Sequence, residues 1–286
     1  MNKRINLNLS ASTQVIVVTY NPEMALLNRN LDALVKQFQN ILIVDNNSNN
    51  VAEIERTAIK HKVELDKLSE NFGIAYAQNI GLREANNRKL GWLLTMDQDS
   101  IIPKNLTEEY EKNLIKYKNV GLIGWDQRTN GTDVELVKDD WWIVSSGCLT
   151  SVSALNKVGG FDNTLFIDHV DTDVNIKIKN LGLKTLVTNK VKLYHQLGVK
   201  TGQKTVRGDY YHAHSSIRVY YIIRNGLVIF RRYFFKQPIW MLQALKTCFR
   251  EGMYLLCFQP NKLSNTGLIL KAWFDGVFNR LGKLEK

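Results

Sequence analysis

Short apolar runs and amphipathic segments alternate through the first half of the chain. Apolar runs at residues 14–19, 41–44, 63–67, 92–96 and 120–125 predict five strands. Between these runs, residues 23–36, 51–60, 75–84 and 105–117 carry apolar side chains at helical spacing and predict four helices. Such alternation is typical of βαβ units. The pattern therefore predicts an α/β fold with a Rossmann-like, mostly parallel central sheet flanked by helices.

Polar residues stand where four of the predicted strands end. They are Thr19, Tyr20 and Asn21 for the first strand, Asp45, Asn46, Asn47 and Ser48 for the second, Asn71 and Gly73 for the third, and Asp97 and Asp99 for the fourth. Each set alone is explained equally well by strand termination and helix capping. Ligands of open α/β sheets bind outside the carboxyl ends of the strands, so the four sets together favour a ligand-binding rim.

Asp97 and Asp99 form an Asp-x-Asp pair directly after an apolar strand. Mg²⁺ binds one or two protein carboxylates and completes its coordination with water and substrate phosphate. An isolated Asp-x-Asp is a weak signal, because any acidic turn can supply it. The chain has neither a G-x-G-x-x-G nor a P-loop motif. A nucleotide would therefore be held by strand-end groups such as Asp45, with a metal ion at the Asp-x-Asp pair facing its diphosphate.

The segment after the polar loop at 126–140 is a second region of interest. Residues 141–148 are strand-like and end in small residues around Gly147. Trp142 and Ser146 would suit the wall of an acceptor pocket, and a buried strand with a tight turn explains the same pattern equally well.

An acidic cluster at residues 166–173 precedes a helix predicted at 174–180, which Gly182 ends. Asp171 stands where this helix begins. Aspartate at a helix start commonly caps the helix. A carboxylate held there also suits proton abstraction, which is the task of the base in an inverting transferase.

His195 follows a short apolar strand predicted at 191–194 and precedes a glycine-punctuated basic loop. The histidine would complete a metal site with Asp99, although a lone histidine is more often structural. Lys204 and Arg207 in the loop would bind a diphosphate if the loop closes as a lid. Solvated surface charge is the alternative for both residues.

Composition sets bounds on size and compartment. The chain has 286 residues, of which 44% are hydrophobic, enough for one large or two modest domains with an ordinary core. Its three cysteines include no C-x-x-C pair, which argues against a disulfide framework or a structural zinc site. The polar first 13 residues and the lack of an 18-residue apolar run lead us to expect a cytoplasmic protein that is neither exported nor membrane-spanning.

Positive charge is concentrated in the last quarter of the chain. The net charge is +11, and residues 218–286 contain twelve Lys or Arg, three acidic residues and thirteen aromatic residues. Two amphipathic stretches, 226–235 and 239–258, are separated by Pro238. Such stretches favour binding to an anionic membrane surface. Packing on the catalytic domain, or on a second copy of the chain in a homodimer, would explain them as well. A basic nucleic-acid-binding protein with an incidental α/β domain is the rival interpretation.

The order of the motifs resembles that of the family 2 glycosyltransferases, and more narrowly of their bacterial rhamnosyltransferase branch, across residues 14–225. The matching segments are 17–21, 43–48, 71–81, 97–100, 166–173 and 194–198. The resemblance implies a GT-A catalytic domain at 1–215, with a nucleotide-sugar half at about 1–125 and an acceptor half at about 126–215. A basic, aromatic-rich helical region would follow at 216–286.

By this resemblance the enzyme would be inverting and would require Mg²⁺ or Mn²⁺. Its donor would be dTDP-L-rhamnose, or alternatively a UDP-hexose or UDP-galactofuranose. Its acceptor would be a growing or lipid-linked cell-surface saccharide of the O-antigen, capsule or rhamnan type, linked to polyprenol diphosphate. Nucleic acid would not be a partner. The protein would lie in the cytoplasm, peripherally bound to the inner face of the cell membrane.

The resemblance also implies a role for each site residue. Donor contacts would come from Thr19, Tyr20, Asn21, Asp45, Asn47, Asn71, Gly73, Asn79 and Asp97. The metal ligands would be Asp97, Asp99 and His195, and the base would be Asp171. Acceptor or diphosphate contacts would come from Trp142, Ser146, Asp173, Lys204 and Arg207. One departure concerns the acceptor side, because the family commonly has Glu and Trp where this chain has Asp173 and Val174.

Overall fold

A computed structural model describes residues 7–127, 137–140, 143–195, 199–204 and 210–285. The strands are β1 Thr13–Thr19, β2 Asn40–Asp45, β3 Glu64–Lys67, β4 Trp92–Asp97, β5 Ser100–Ile101, β6 Val120–Trp125, β7 Val137–Asp139, β8 Cys148–Ser151, β9 Lys184–Thr188, β10 Tyr194–His195, β11 Val199–Lys204 and β12 Tyr210–Ala213. The α-helices are α1 Leu9–Ser12, α2 Met24–Leu34, α3 Val51–His61, α4 Ile74–Asn87, α5 Leu106–Lys116, α6 Val152–Val158, α7 Val170–Asn180, α8 Ser216–Tyr233, α9 Pro238–Phe258 and α10 Lys262–Val277. A 3-10 helix spans Asn163–Leu165.

The central sheet has eight strands in the order β3-β2-β1-β4-β8-β6-β9-β7. Strands β1 to β4 are parallel neighbours, and β6 is parallel to β9. Strands β8 and β7 run antiparallel to their neighbours. The predicted α/β fold with a mostly parallel sheet is confirmed. The antiparallel strand β8 joins the two parallel parts, and its first residue lies beside the end of β4.

Helices cover the two faces of this sheet. On one face, alternate residues of β1, β2 and β4 pack with α2, α3 and α5 in one buried cluster. On the other face, α4 lies close to β1, since a side chain at Gly81 would come within 2.8 Å of Ile16. Burial of both faces explains why these strands are apolar along their whole length. The polar strand ends therefore stand out from the apolar runs that precede them.

The first five predicted strands and four predicted helices form within a few residues of the predicted bounds. Residues 143–147 of the strand-like segment 141–148 form no strand, and β8 begins only at Cys148, while residues 141 and 142 lie outside the described residues. The tight turn considered at Gly147 is present, with a φ of +77°. Helix α7 begins at Val170, four residues before the predicted start, and therefore contains Asp171. The predicted strand at 191–194 is confined to Tyr194 and His195.

The chain forms two compact units. One contains the described residues up to Asp162 together with Asp171–His195, and the other contains Asn163–Val170 and the described residues after His195. The second unit has a core made by α8, α9 and α10, with Phe166 and Ile167 packed against it. Helix α8 begins at Ser216 because the Ser215 side chain caps it, ten residues before the predicted amphipathic stretch, and α10 was not predicted. The predicted domain boundary after residue 215 stays a prediction.

A buried polar contact joins α8 to α10. The Tyr220 hydroxyl donates to the Asp275 carboxylate over 2.7 Å, and the Lys271 ammonium lies 3.0 Å from the same carboxylate. Burial acts to raise the pKa of Asp275, but the hydrogen bonds from Tyr220 and Lys271 lower it overall. Burial and the bond to Asp275 raise the pKa of Tyr220 to about 12. In the described part of the chain, no helix has the length and apolar character needed to cross a membrane.

Candidate active site

Hydrogen bonds hold the ends of β1 and β2 together. The Thr19 hydroxyl donates to the Asp45 carboxylate over 2.8 Å, and the Ser48 backbone N–H donates to the other carboxylate oxygen over 2.8 Å. Asp45 is fully buried, so its carboxylate stabilises the turn after β2. Asn47 is exposed in this turn with a φ of +64°, a conformation that asparagine tolerates better than most residues.

The end of β1 also contacts the turn after β4. The Tyr20 backbone N–H donates to the Gln98 side chain over 2.8 Å, and the Tyr20 side chain is 51% exposed. The Asn21 backbone N–H donates to the Ser48 hydroxyl over 2.7 Å, while the Asn21 side chain accepts from the Asn49 backbone N–H over 2.8 Å. The polar ends of β1, β2 and β4 therefore meet at one edge of the sheet, as the sequence predicts.

Residues before α4 bond to Asn46 at the end of β2, and residues within α4 bond to the loop after α6. The Asn71 side chain accepts from the Gly73 backbone N–H over 2.9 Å, and Gly73 has a φ of +88° at the start of α4. The Asn79 amide donates to the Phe161 carbonyl over 2.8 Å and accepts from the Phe161 backbone N–H over 2.9 Å. These bonds hold the loop after α6 against α4. The contact predicted between Asn79 and the nucleotide sugar stays a prediction.

Asn30 holds the Asp-x-Asp turn and was not identified from the sequence. Its side chain is fully buried in α2 and donates to the Asp97 carbonyl over 2.8 Å and to the Ser100 carbonyl over 2.6 Å. The sequence signal for this role is an asparagine on the apolar face of α2, which also contains Leu27 and Leu31. A buried amide needs hydrogen-bond partners, so such a residue is expected to bind a neighbouring segment. Its bonds set the backbone course that presents Asp97 and Asp99.

Asp97 and Asp99 are both partly exposed at this edge. Strand β5, which follows directly, pairs with β10 so that Ser100 lies opposite His195. The backbone of His195 is thus brought next to the residue that follows Asp99. Among the described side chains, which do not include that of His195, no three His, Cys, Asp or Glu groups form a metal cluster. Two carboxylates at a strand end suit Mg²⁺ or Mn²⁺ when substrate oxygens complete the coordination.

The turn before β8 packs tightly against the end of β4. The Ser146 hydroxyl accepts from the Asp97 backbone N–H over 3.3 Å, and Ser146 is 2% exposed. The buried Tyr110 hydroxyl donates to the Gly147 carbonyl over 2.7 Å. A side chain at Gly147 would come within 2.7 Å of Leu193. The close packing and the positive φ both require glycine at this position.

Asp171 influences the protonation of a group next to this turn. Burial raises the pKa of the Cys148 thiol to about 12, a hydrogen bond with Thr150 opposes the shift, and the negative charge of Asp171 adds to it. The thiol is therefore neutral near pH 7 and a poor nucleophile.

Helix α7 packs on the segment that leads to this turn. The Asn175 amide, one helical turn after Asp171, donates to the Ile143 carbonyl over 2.7 Å. Residues four apart lie on the same face of a helix, so Asp171 lies on the side of α7 that faces this segment. The Asp171 carboxylate is partly exposed and accepts from the Thr172 backbone N–H over 2.7 Å. Helix α7, which carries Asp171, thus packs on the segment that leads to Ser146, and the Ser146 hydroxyl bonds to Asp97.

Other predicted site residues are placed differently or lie outside the described residues. Asp173 is fully buried, with the Lys177 ammonium 2.6 Å from its carboxylate. The backbone of Lys204 ends β11, in the second compact unit. Trp142 and Arg207 lie outside the described residues. The roles predicted for these four residues stay predictions.

Known proteins resemble the chain in sequence and in fold. The dTDP-rhamnosyl transferase RfbF of Shigella flexneri is 26% identical over 296 residues, which cover 94% of this chain and 96% of RfbF. The mannosyltransferase PcManGT from Pyrobaculum calidifontis, solved in complex with GDP-Man and Mn²⁺, is 16% identical with a TM-score of 0.61, covering 94% of this chain and 88% of that one. S. aureus TarS 1-349 in complex with UDP-GlcNAc is 16% identical with a TM-score of 0.59, covering 94% and 82%.

These structural neighbours show the GT-A fold, which confirms the predicted fold class. The sequence model of the family described as Glycosyl transferase family 2 matches residues 14–168, which is more than half of the chain. This range contains the strand ends, the Asp-x-Asp turn and the turn before β8. The chain belongs to glycosyl transferase family 2, and the protein is a glycosyltransferase.

Proposed function

We propose that this glycosyltransferase is inverting and metal-dependent, and that it transfers L-rhamnose from dTDP-L-rhamnose to a hydroxyl of a lipid-linked or growing cell-surface saccharide. The observation that supports the proposal is the turn at Ser146, whose hydroxyl bonds to Asp97 and which follows the segment on which α7 packs. Because Asp171 shares a helix face with Asn175, its carboxylate would lie on the acceptor side of the carboxylate pair that ends β4. An inverting transfer needs a base on the acceptor side and a charge-neutralising group on the leaving-group side.

The two carboxylate positions have different tasks. Asp97 and Asp99, with His195, would hold Mg²⁺ or Mn²⁺ at the donor diphosphate. A bound divalent ion offsets the negative charge that develops on the departing nucleoside diphosphate. Asp171 accepts the proton of the acceptor hydroxyl while the hydroxyl oxygen attacks C1 of the sugar. The bond from C1 to the diphosphate oxygen breaks on the opposite face, so the anomeric configuration inverts.

The remaining strand-end residues would bind the nucleoside and the sugar. Tyr20 and Asn47 are exposed at this edge and available to a ligand. Asp45 and Asn79 act through the turns and loops that their hydrogen bonds hold. On the acceptor side, Ser146 would contribute through the turn that it shares with Gly147. Trp142 and Asp173 would line the acceptor pocket, and Lys204 and Arg207 would bind the diphosphate.

The identity of the donor rests on the relative in Shigella flexneri, whose printed name specifies dTDP-rhamnose. The two structural neighbours were solved with GDP-Man and with UDP-GlcNAc. One fold therefore serves different nucleotides and sugars, because pocket contacts and not the fold select the donor. UDP-hexose and UDP-galactofuranose are the alternative donors that a screen must include.

We expect dTDP-L-rhamnose with Mn²⁺ to raise the melting temperature of the protein more than any other sugar nucleotide. A ligand that binds only the folded state stabilises it by about 2.7 kcal/mol at a hundredfold excess over its Kd. The measurement is a thermal-shift screen of dTDP-L-rhamnose, UDP-glucose, UDP-galactose and UDP-galactofuranose, with Mn²⁺ or with EDTA. An equal or larger shift with a UDP-sugar would assign the donor to that nucleotide instead.

We propose further that the C-terminal helices bind an anionic membrane surface, which would bring the enzyme to a polyprenol-diphosphate-linked acceptor at the inner face of the cell membrane. Helix α9 carries an exposed apolar stripe, which consists of Ile239, Leu242, Phe249 and Met253. The exposed fractions of these four side chains lie between 54% and 70%. Residues at these positions share one helix face. Lys246 and Arg250 are exposed on the same face.

This combination of apolar and basic side chains is typical of interfacial helices. Each Lys or Arg near an anionic leaflet contributes about 1 kcal/mol of attraction. A homodimer interface would explain the apolar stripe but not the basic residues within it, because two copies would bring like charges together. The membrane is therefore the preferred partner for the α9 stripe.

The full chain should float with vesicles of phosphatidylcholine and phosphatidylglycerol at low salt, and should dissociate from them as the salt concentration rises. Changing Ile239, Leu242 and Met253 to Gln should weaken binding by about a hundredfold, because burying each side chain contributes on the order of 1 kcal/mol. The matched control changes Ile59 and Ile115 to Gln, which are exposed apolar residues of α3 and α5. If the wild-type protein stays in the soluble fraction at low salt, the membrane proposal is wrong.

A further inference from the structure

Helix α8 contains two adjacent polar residues that are buried in the second compact unit. Arg224 is 1% exposed and Asn225 is fully buried. A buried guanidinium requires several hydrogen-bond acceptors, because leaving a buried charge without partners is strongly unfavourable. The partners of this pair therefore indicate what the pair stabilises.

The Arg224 guanidinium bonds to backbone carbonyls from two distant parts of the chain. It donates to the Leu165 carbonyl over 3.0 Å and to the Gly282 carbonyl over 2.6 Å. Its central carbon lies 4.8 Å from the centre of the Tyr221 ring, within the range of a cation–π interaction. Its Nε also donates to the Asn225 side-chain oxygen over 2.9 Å, which orients the Asn225 amide.

The oriented Asn225 amide then binds one short segment. Its nitrogen lies 2.8 Å from the Leu165 carbonyl, 2.7 Å from the Ile167 carbonyl and 3.0 Å from the Asp168 carbonyl. One amide group thus gathers three carbonyl oxygens of the segment 163–169, here called the 163–169 loop. Carbonyls lie parallel along a regular helix and alternate in direction along a strand, so carbonyls that converge on one nitrogen require an irregular backbone.

The backbone of the 163–169 loop is indeed unusual. Phe166, Asp168 and His169 have φ values of 65°, 62° and 61°. Non-glycine residues rarely adopt this left-handed conformation, and they keep it only when their surroundings hold them there. Three such residues within four positions show that the loop is held in an unfavourable conformation. Val170, the next residue, begins α7, and Asp171 follows it.

Other residues of α8 contribute to holding the loop. The Phe166 ring stacks on the Tyr221 ring with 5.0 Å between centres. The Arg218 guanidinium lies 3.2 Å from the Asp168 carboxylate. A side chain at Gly226 would clash with the Cys248 sulfur and would lie 3.3 Å from the His169 ring. Residues 218–226 of α8 are therefore adapted to this loop.

We propose that Arg224 and Asn225 are positioning residues for catalysis, which fix the 163–169 loop so that Asp171 begins α7 in the orientation needed for proton abstraction. The inference rests on the proposed function, in which Asp171 is the base. Backbone strain concentrates where a functional group needs an orientation that regular structure does not supply. Neither residue touches the reacting atoms in this proposal; both act through the loop.

The test compares Asn225→Ala with Asn265→Ala. Asn265 of α10 is also buried, at 4% exposure, and its side chain bonds to the Pro260 carbonyl and the Ser216 hydroxyl. Both variants remove a buried asparagine from the same helical core, so both should lower the melting temperature. Turnover is measured at a temperature below the melting temperatures of both variants. The assay follows nucleotide release from the sugar nucleotide that binds in the donor screen, and the acceptor is a polyprenol-diphosphate-linked saccharide.

Asn225→Ala should lower kcat by about a hundredfold and leave the donor KM within about twofold of the wild-type value, because a displacement near 1 Å of a catalytic group costs on this order. Asn265→Ala should keep a near wild-type kcat. A milder variant is Arg218→Gln, which removes only the ion pair between Arg218 and Asp168. This variant should fold and should lower kcat by about two- to fivefold. Equal kcat values for Asn225→Ala and Asn265→Ala would overturn the positioning role.

A double variant separates this inference from the proposed function. If Asn225 acts through Asp171, adding Asn225→Ala to Asp171→Asn should cause no further loss of kcat. A further hundredfold loss in the double variant would overturn the positioning role while Asp171 remains the base. A near wild-type kcat for Asp171→Asn alone would instead contradict the proposed function itself.

Discussion

Replacing Asp171 with Asn should lower kcat by about 10²- to 10⁴-fold while donor binding stays unchanged. The range is that contributed by a positioned general base. Asparagine keeps the size of the side chain but cannot accept the acceptor proton. The donor side of the site is formed by the ends of β1, β2 and β4, which this substitution does not touch. Turnover and Mn²⁺-dependent donor binding are measured on the same preparation.

Asp32→Asn is a suitable control for this variant, because Asp32 is an exposed carboxylate of α2 whose side chain contacts His61. It should leave kcat and donor binding unchanged. A third function class, a sugar-nucleotide binder without catalysis, predicts that no acceptor supports transfer by the wild-type protein. If Asp171→Asn retains near-normal turnover, another group deprotonates the acceptor and the assignment of the base is wrong.

The second large effect is expected at the Asp-x-Asp pair. Asp99→Asn should remove the Mn²⁺ dependence of donor binding and should lower turnover by about 10²- to 10³-fold, the range seen when one preorganised group that stabilises developing charge is lost. Asp97→Asn should have a similar effect, with weaker nucleotide binding as well. The measurement is the melting-temperature shift that Mn²⁺ and the donor produce together, compared with either alone.

Two comparisons sharpen this prediction. EDTA should reproduce the Asp99→Asn phenotype in the wild-type protein and should add nothing to the variant. Asp171→Asn should keep the Mn²⁺-dependent shift that Asp99→Asn loses, so the two carboxylates should separate into a binding role and a proton-transfer role. If Mn²⁺ and the donor raise the melting temperature of Asp99→Asn as much as that of the wild-type protein, Asp99 does not bind the metal.

The sequence was sufficient for the fold class because the relevant signals are local. Alternating apolar runs and amphipathic segments determine which residues are buried, and apolar strands that alternate with helices are typical of a mostly parallel sheet. The polar ends of β1, β2 and β4 were recognised as one rim because parallel strands share an edge for their carboxyl ends. The order of the same motifs identified the glycosyltransferase family, which the match over residues 14–168 confirms.

The strand expected before Gly147 was wrong because a tertiary contact overrode the pattern. The apolar run before Gly147 reads as a strand, yet the structure forms a turn there, which the Tyr110 hydroxyl holds through the Gly147 carbonyl. A second tertiary contact that the pattern does not show is the burial of Asp173 with the Lys177 ammonium beside its carboxylate. Neither Tyr110 nor the burial of Asp173 can be inferred from the neighbouring sequence.

The sequence by itself determined the α/β architecture, the rim of polar strand ends, the Asp-x-Asp pair and the family. Only the tertiary structure showed that Asn30 holds the turn after β4 and that Asn225 gathers the carbonyls of the 163–169 loop. The physical reason is that a buried polar side chain must find partners, but its partners lie about 60 residues away in the chain. The periodicity of apolar residues predicts that such a side chain is buried, but it does not show which carbonyl the side chain will bind.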